Sequence, residues 1–397
     1  MAERRSPLYD IHLRTSSQMV KGGGDYMFPV SYTSPVEEHL NTRANVGVQD
    51  LSSMGEIDVK GPGAERLLNH LLVNEIRTLE PGRLRYTTMC NDDGGIIDDV
   101  TVYKFHDEHF MVVASSGPRK ATAQWISDRA VGTSAYVTDV SGGTALLSVQ
   151  GPRSRELLST AVSGVDFATL RFFAFSDADI AGVDALVSRS GYTGELGYEL
   201  YLPADEAAVV WEHLVAKGKQ FELLPYGVAA MNSLRVEKAL PLYGRDISTA
   251  VTPFHVGLSR WVRFDKRQFI GRDALLRTQE EGIDQRWTGL VLDSPVPAAV
   301  DEPLYPVGDV ASHTDEILTG PRAGDREDAV QPAGEAVGHI TVSVKGHTVD
   351  KMLAMAYVDT AHSWPGNRLV VQINGQPRLA HVVTTPFFDP DGARMKG

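Results

Sequence analysis

Apolar residues recur along this chain with two different periods. Over 64–73, Leu67, Leu68, Leu71 and Leu72 fall on one helical face, directly after a turn at Gly61-Pro62-Gly63. Similar stripes predict helices over 153–161, over 228–240 and over 204–217, the last with Val209, Val210 and Leu214 inward. Elsewhere the period is two. A strand is predicted over 96–105, after the turn signal Asn91-Asp92-Asp93-Gly94-Gly95, with 109–115 as its hairpin partner. Another runs over 145–149 and stops at Gln150-Gly151-Pro152. Short strands interleaved with helices on this scale argue for an α+β fold rather than a doubly wound parallel sheet. Beyond about residue 276 the helical period fades. Strands are predicted over 287–292, 337–340, 352–358, 369–373 and 381–385, which together make a small all-β domain. Between the first two of these, 293–334 is rich in proline, glycine and acids and too long for an ordinary connection, so a mobile insertion is expected there. The expected division is a larger region over 1–280 and a β-domain over 281–397.

One alternating stretch carries chemistry. In Ser188-Arg189-Ser190-Gly191-Tyr192-Thr193-Gly194-Glu195-Leu196-Gly197-Tyr198-Glu199-Leu200, the residues Tyr198, Leu200 and Leu202 share one face. Glu199 and Tyr201 therefore point to the other. A carboxylate in a strand either faces water or meets donors, because burying it alone is costly. If donors meet it, a bidentate pair of N–H groups from a heteroaromatic ring, such as the edge of a pterin, fits. Asp98 and Asp99 pose a similar choice. As neighbours in a strand they face opposite sides, Asp99 with Thr101 and Tyr103, Asp98 with Val100 and Val102, so they do not form a dyad. From spacing alone, turn capping is the commoner role for such aspartates.

Composition narrows the field. Of 397 residues, 42% are apolar and 22% charged, an ordinary globular balance for two or three domains. A net charge of −13 argues against nucleic acid or an anionic membrane surface as the main partner. The single cysteine, Cys90, excludes an intrachain disulfide and any multi-cysteine metal site, and its strand context reads as a buried small residue rather than a nucleophile. No secretory signal or span of roughly 20 apolar residues is visible, and a cytoplasmic location is expected. Gly22-Gly23-Gly24 lacks the strand-then-helix context of a phosphate loop, and no dinucleotide fingerprint, Walker motif or nucleophile elbow occurs. Twelve scattered histidines without an H-E-x-x-H pattern point away from a metal.

Taken in order, several segments resemble the folate-dependent aminomethyltransferase family, whose best-known member is the T-protein of the glycine cleavage system. They are Asp50-Leu51-Ser52-Ser53-Met54-Gly55-Glu56, then Tyr86 through Asn91 to Asp99, Val149-Gln150-Gly151-Pro152, and Gly191-Tyr192-Thr193-Gly194-Glu195 with Tyr198-Glu199. Ser233-Leu234-Arg235-Val236-Glu237, Leu242-Tyr243-Gly244 and Phe269-Ile270-Gly271-Arg272 follow. The resemblance runs from about residue 7 to 396 and implies two ferredoxin-like regions and a C-terminal barrel-like β-domain around a folate channel. It implies Asp99 as the catalytic group and tetrahydrofolate as cofactor. Glu199 would anchor the pterin, with Tyr86, Tyr192, Met54 and Thr101 lining the same pocket.

The departures from the family pattern concern the carbon donor. Ser53 stands where the T-protein has histidine, and Met231 where it has an arginine. Near Tyr26 the tryptophan of a Phe-Ala-Gly-Trp run is missing. Ser53, Tyr26 and Met231 are therefore the expected substrate-determining positions. The run 231–238 is similar to folate domains of dimethylglycine- and sarcosine-oxidising enzymes and folate-dependent demethylases. On this resemblance the expected reaction is transfer of a methyl group from a small N-, O- or S-methylated donor to tetrahydrofolate. The alternative is aminomethyl transfer from a lipoyl carrier protein. A non-catalytic folate-binding accessory protein is disfavoured, because its Lys-Gly-Cys-Tyr-x-Gly-Gln-Glu motif is absent. A detached half of a flavin amine oxidase would need a flavin-binding partner chain.

Overall fold

The computed structural model describes residues 3–308 and 330–397. Two sheets and a barrel organise it. The first sheet has five strands in the order Arg83–Cys90, Ile96–His106, His109–Ala114, Gly55–Lys60, Tyr136–Asp139. The second has six, ordered Phe175–Ile180, Val183–Ser188, Gly197–Pro203, Thr144–Gln150, Val46–Asp50, Leu223–Pro225. Alternation decides how they stack. In the five-stranded sheet, Ile57, Val59, Val100 and Val102 face a core closed by Leu67, Leu68 and Leu71 of helix Ala64–Leu71. In the six-stranded sheet, Val149, Tyr198, Leu200 and Leu202 face a second core with Leu157 and Leu214 from helices Ser154–Ala161 and Ala207–Gly218. The remaining faces meet each other through Leu84, Tyr103, Met111 and Val113 on one side and Leu146, Leu186 and Tyr201 on the other. Glu199 and Asp99 lie in this inter-sheet layer, because each occupies the strand phase opposite to its helix-covered core.

The C-terminal strands close a six-stranded barrel, ordered Gln285–Leu292, Lys351–Asp359, Gly338–Gly346, Pro303–Pro306, Arg368–Ile373, Gln376–Val383. This is the expected α+β fold with an all-β C-terminal part. The barrel packs on the rest through Met355 and Tyr357, which meet Val73, Ile96 and Val236.

Three local expectations are corrected. The stretch read as an insertion, 293–334, contributes the barrel strand Pro303–Pro306, while its part 309–329 lies outside the described residues. The prolines are tolerated because they bound the strand rather than interrupt its ladder. Val209 faces out, since adjacent helical positions diverge by about 100° and Val210 and Leu214 take the inner face. Helix Val228–Glu237 ends before 240, where Ala239 adopts a left-handed φ of 53°. Among the described residues, no helix is long and apolar enough to cross a membrane.

Candidate functional site

Asp98 and Asp99 diverge as alternation requires, and neither caps the preceding turn. Asn91 does that, its side chain accepting from the Gly95 amide at 2.8 Å. Asp98 is fully buried, and its Oδ2 accepts from Thr122 Oγ1 at 2.7 Å and from the Ser115 amide at 3.3 Å. Burial, reinforced by the neighbouring Asp99 charge, pushes its carboxyl well above the usual range. Burial raises Asp99 too, but two donors oppose it. Tyr86 Oη donates to Oδ2 at 3.0 Å and Ser115 Oγ to Oδ1 at 3.2 Å.

Four residues further along the same strand face, about 13 Å at the usual rise, Tyr103 reaches across to the other sheet. Its hydroxyl meets Ser188 Oγ at 2.9 Å, Tyr201 Oη at 2.9 Å and Glu199 Oε2 at 3.3 Å. Tyr201 Oη also reaches Oε2 at 3.3 Å, and Ser190 Oγ donates to the same oxygen. All the protein hydroxyls thus converge on Oε2. Among the described residues none donates to Oε1. Burial raises the Glu199 carboxyl, and these hydroxyls partly offset the shift. A carboxylate with one oxygen held and the other open is suited to a ligand donor.

Tyr192 closes the far side. Its hydroxyl donates to the Pro241 carbonyl at 2.5 Å, and burial pushes the phenol up, with Asp99 among the charges it feels. The turn it holds is also held by Arg235, a fully buried cation donating to the Leu240 carbonyl at 3.1 Å and to Asp246. Met54 packs in the inter-sheet layer. One guanidinium ties it to two other expected positions. Arg119 Nη1 donates to the Met54 carbonyl at 3.1 Å, the Ser53 carbonyl at 3.3 Å and Tyr26 Oη at 3.0 Å. Ser53 Oγ meets Ser116 Oγ at 2.7 Å, next to the Ser115 that holds Asp99.

Thr101 shares the Asp99 face, opposite Tyr86 in the register. Met231 is half-buried against Tyr226, Ala230 and Leu234. Tyr226 is raised by burial and by the Glu199 charge, against a Ser148 hydrogen bond that lowers it. Tyr103, Ser190, Arg119 and Arg235 were not singled out from the sequence as site residues. Arg235 lies in the quoted Ser233–Glu237 motif, Ser190 in the quoted Ser188–Leu200 stretch and Tyr103 on the Asp99 face, whereas Arg119 carries no sequence signal.

The geometry can now be set beside known proteins. Residues 8–266 match the GCVT N-terminal domain, and residues 316–389 match the glycine cleavage T-protein C-terminal barrel domain. An aminomethyltransferase of Streptomyces coelicolor is 39% identical over 387 residues, covering 97% of each chain. One from Moorella thermoacetica is 34% identical over 385 residues, covering 97% of this chain and 98% of that one. The crystal structure of glycine cleavage system aminomethyltransferase T from Bartonella henselae superposes with a TM-score of 0.85 at 28% identity, covering 98% of this chain and 99% of the other. These relatives give no support to the closer kinship with demethylases expected from the 231–238 run. The domains matched, the barrel and the full-length similarity agree: the chain belongs to the glycine cleavage T-protein (GCVT) family.

Proposed function

We propose that this protein is a tetrahydrofolate-dependent aminomethyltransferase, passing the carbon of an aminomethyl group from a lipoyl carrier to folate with release of ammonia. The observation that carries the reading is the open oxygen of Glu199, held in the same inter-sheet layer as Asp99. The residues fit the cofactor. Glu199 Oε1 lacks a protein donor among the described residues, and a pterin edge offers an amino group and a ring N–H to it.

Tetrahydrofolate, when bound, supplies the amine nitrogens that take up the carbon. The chain supplies position and field. Glu199 selects and orients the ring, and Oε2 is held so that Oε1 does not rotate away. A carboxylate offers about four acceptor sites, and Tyr86 and Ser115 take only one on each oxygen of Asp99. The sites left can accept a proton from the amine or face positive charge developing on it.

Demethylation is a second reading. Its support is local: an apolar Met231 and the small Ser53 stand where the family pattern has a cation and an imidazole. The test is to supply lipoylated carrier, ammonia and methylenetetrahydrofolate and follow consumption of the folate. Turnover is expected. No turnover, together with methyltetrahydrofolate formed from a methylated amine, ether or sulfonium donor, would replace the first reading by the second.

A further inference from the structure

Glu199 belongs to a row of polar side chains that crosses the six-stranded sheet. In the strand register it pairs with Ser188 on one side and Ser148 on the other, and Ser148 pairs with Gln49 of strand Val46–Asp50. Val46, Val48, Leu147 and Val149 face the helix-covered core. Alternation therefore turns Ser148 and Gln49, like Glu199, to the inter-sheet layer. Ser188 is engaged by Tyr103 at 2.9 Å, and Ser148 by Tyr226. Gln49 is engaged by nothing. It is 4% exposed, and its side-chain amide has no hydrogen-bond partner among the described residues. A primary amide carries two N–H donors and an acceptor oxygen, and burying it with none of them used is unfavourable for the free protein.

The position of that amide restricts what it meets. The hydroxyls on Glu199 Oε2 come from Ser190, Tyr201 and Tyr103, and none comes from Ser148 or Gln49. Two strand spacings, about 10 Å between backbones, separate Gln49 from Glu199, and both side chains are long enough to lean towards a flat ring between them. Tyr226 closes the outer end of the row. Its ring lies against Gly47, where an added Cβ would come within 2.7 Å of it. Met231 packs against Tyr226 and, where the family pattern has an arginine, brings no donor. The pterin edge supplies the match. Its amino group and ring N–H are donors and go to Glu199. The next group along that edge is a ring carbonyl, an acceptor, and it calls for a donor from the protein. We propose that Gln49 donates to this carbonyl, so that Glu199 and Gln49 together read the donor–donor–acceptor edge of the ring. This rests on the folate reading above, and deepens it by assigning a specificity-determining residue.

The test compares tetrahydrofolate with the analogue that carries an amino group in place of that carbonyl, by anaerobic titration calorimetry. Gln49→Met keeps the length of the side chain and removes the donor, so tetrahydrofolate affinity should fall about two- to twelvefold, the size of one neutral hydrogen bond. Gln49→Glu opposes a carboxylate to the carbonyl but offers it to the amino group. The ratio of the two affinities should therefore move by about tenfold or more towards the amino analogue, relative to wild type. A residue with a purely structural role would not move that ratio. The Gln49 amide has no protein partner to lose, so thermal unfolding of unliganded Gln49→Met should be no lower than that of wild type. An unchanged tetrahydrofolate affinity in Gln49→Met, or the wild-type ratio retained in Gln49→Glu, would overturn the proposal. Failure of wild type to bind tetrahydrofolate would instead overturn the functional reading on which it rests.

Discussion

Replacing Glu199 by glutamine changes one atom of the site and nothing of its shape. The three hydroxyls of Ser190, Tyr103 and Tyr201 converge on Oε2. A glutamine keeps those contacts by placing its carbonyl oxygen there. Its amide nitrogen is then forced into the Oε1 position, where it presents N–H groups to ligand N–H groups. The variant thus loses a charged acceptor and gains an opposing donor at the same point. Hydrogen bonds to charged groups contribute about 1.5–3 kcal/mol, so tetrahydrofolate affinity should fall roughly 10- to 150-fold. The unliganded fold should change little, because burial already disfavours the carboxylate and the amide is isosteric. Glu199→Ala does not separate these effects. It strands the hydroxyls and should itself destabilise by about 1–3 kcal/mol. The assay is anaerobic titration calorimetry with tetrahydrofolate, beside thermal unfolding without ligand. An unchanged Kd in Glu199→Gln, at unchanged unfolding temperature, would refute the anchoring role and with it the logic of the open oxygen.

Other outcomes follow from the same geometry. Asp99→Asn should keep folate binding and lose about 10²- to 10³-fold in kcat, whereas Asp98→Asn, which keeps an acceptor for Thr122 and the Ser115 amide on the strand face opposite to Asp99, should stay close to wild type in steady-state assays. Tyr86→Phe removes a donor that lowers the Asp99 carboxyl, so the acid limb of the pH–rate profile should move to higher pH; a profile unchanged in Tyr86→Phe would detach Asp99 from that limb. Glu237 is raised by burial but lowered further by His39, Arg43 and Thr348, to about 2 from an ordinary 4.5. The depressed folded value contributes roughly 3 kcal/mol, fully present above pH 4.5 and lost as pH falls towards 2. Glu237→Gln should flatten that part of the acid-unfolding curve, followed by circular dichroism.

What could be read from the sequence was whatever strand phase and local turns determine. Glu199 and Tyr201 leave the Tyr198–Leu200–Leu202 face as alternation demands, and Cys90 is buried with its thiol pushed up to about 12. What could not be read depends on partners distant in sequence. Tyr103 and Glu199 are 96 residues apart, and Tyr103 read as one more aromatic in a strand. Arg119 opens a helix without an apolar stripe, so its sequence context reads as surface; only the Ser53 and Met54 carbonyls and Tyr26 reveal it as a buried clasp. The substrate-determining role expected of Met231 comes from the family pattern, and its side chain packs half-buried against Tyr226, Ala230 and Leu234.

The residues around Glu195 have a consequence for how the protein is made. Glu195, on the loop that carries Tyr192, is met by Arg43 at 3.1 Å and by Arg394 at 2.8 Å, and Phe388 stacks on Arg43 with the guanidinium 4.3 Å from its ring centre. Arg394 lies 199 residues after Glu195. At about 5–20 residues per second, the ribosome reaches it roughly 10–40 s after Glu195. Until then Glu195 is met by Arg43 alone, an arginine that Glu237 also claims, while Tyr192 already ties the loop to the Pro241 carbonyl. The last clamp on this loop therefore closes only after both sheets and the barrel strands have been made.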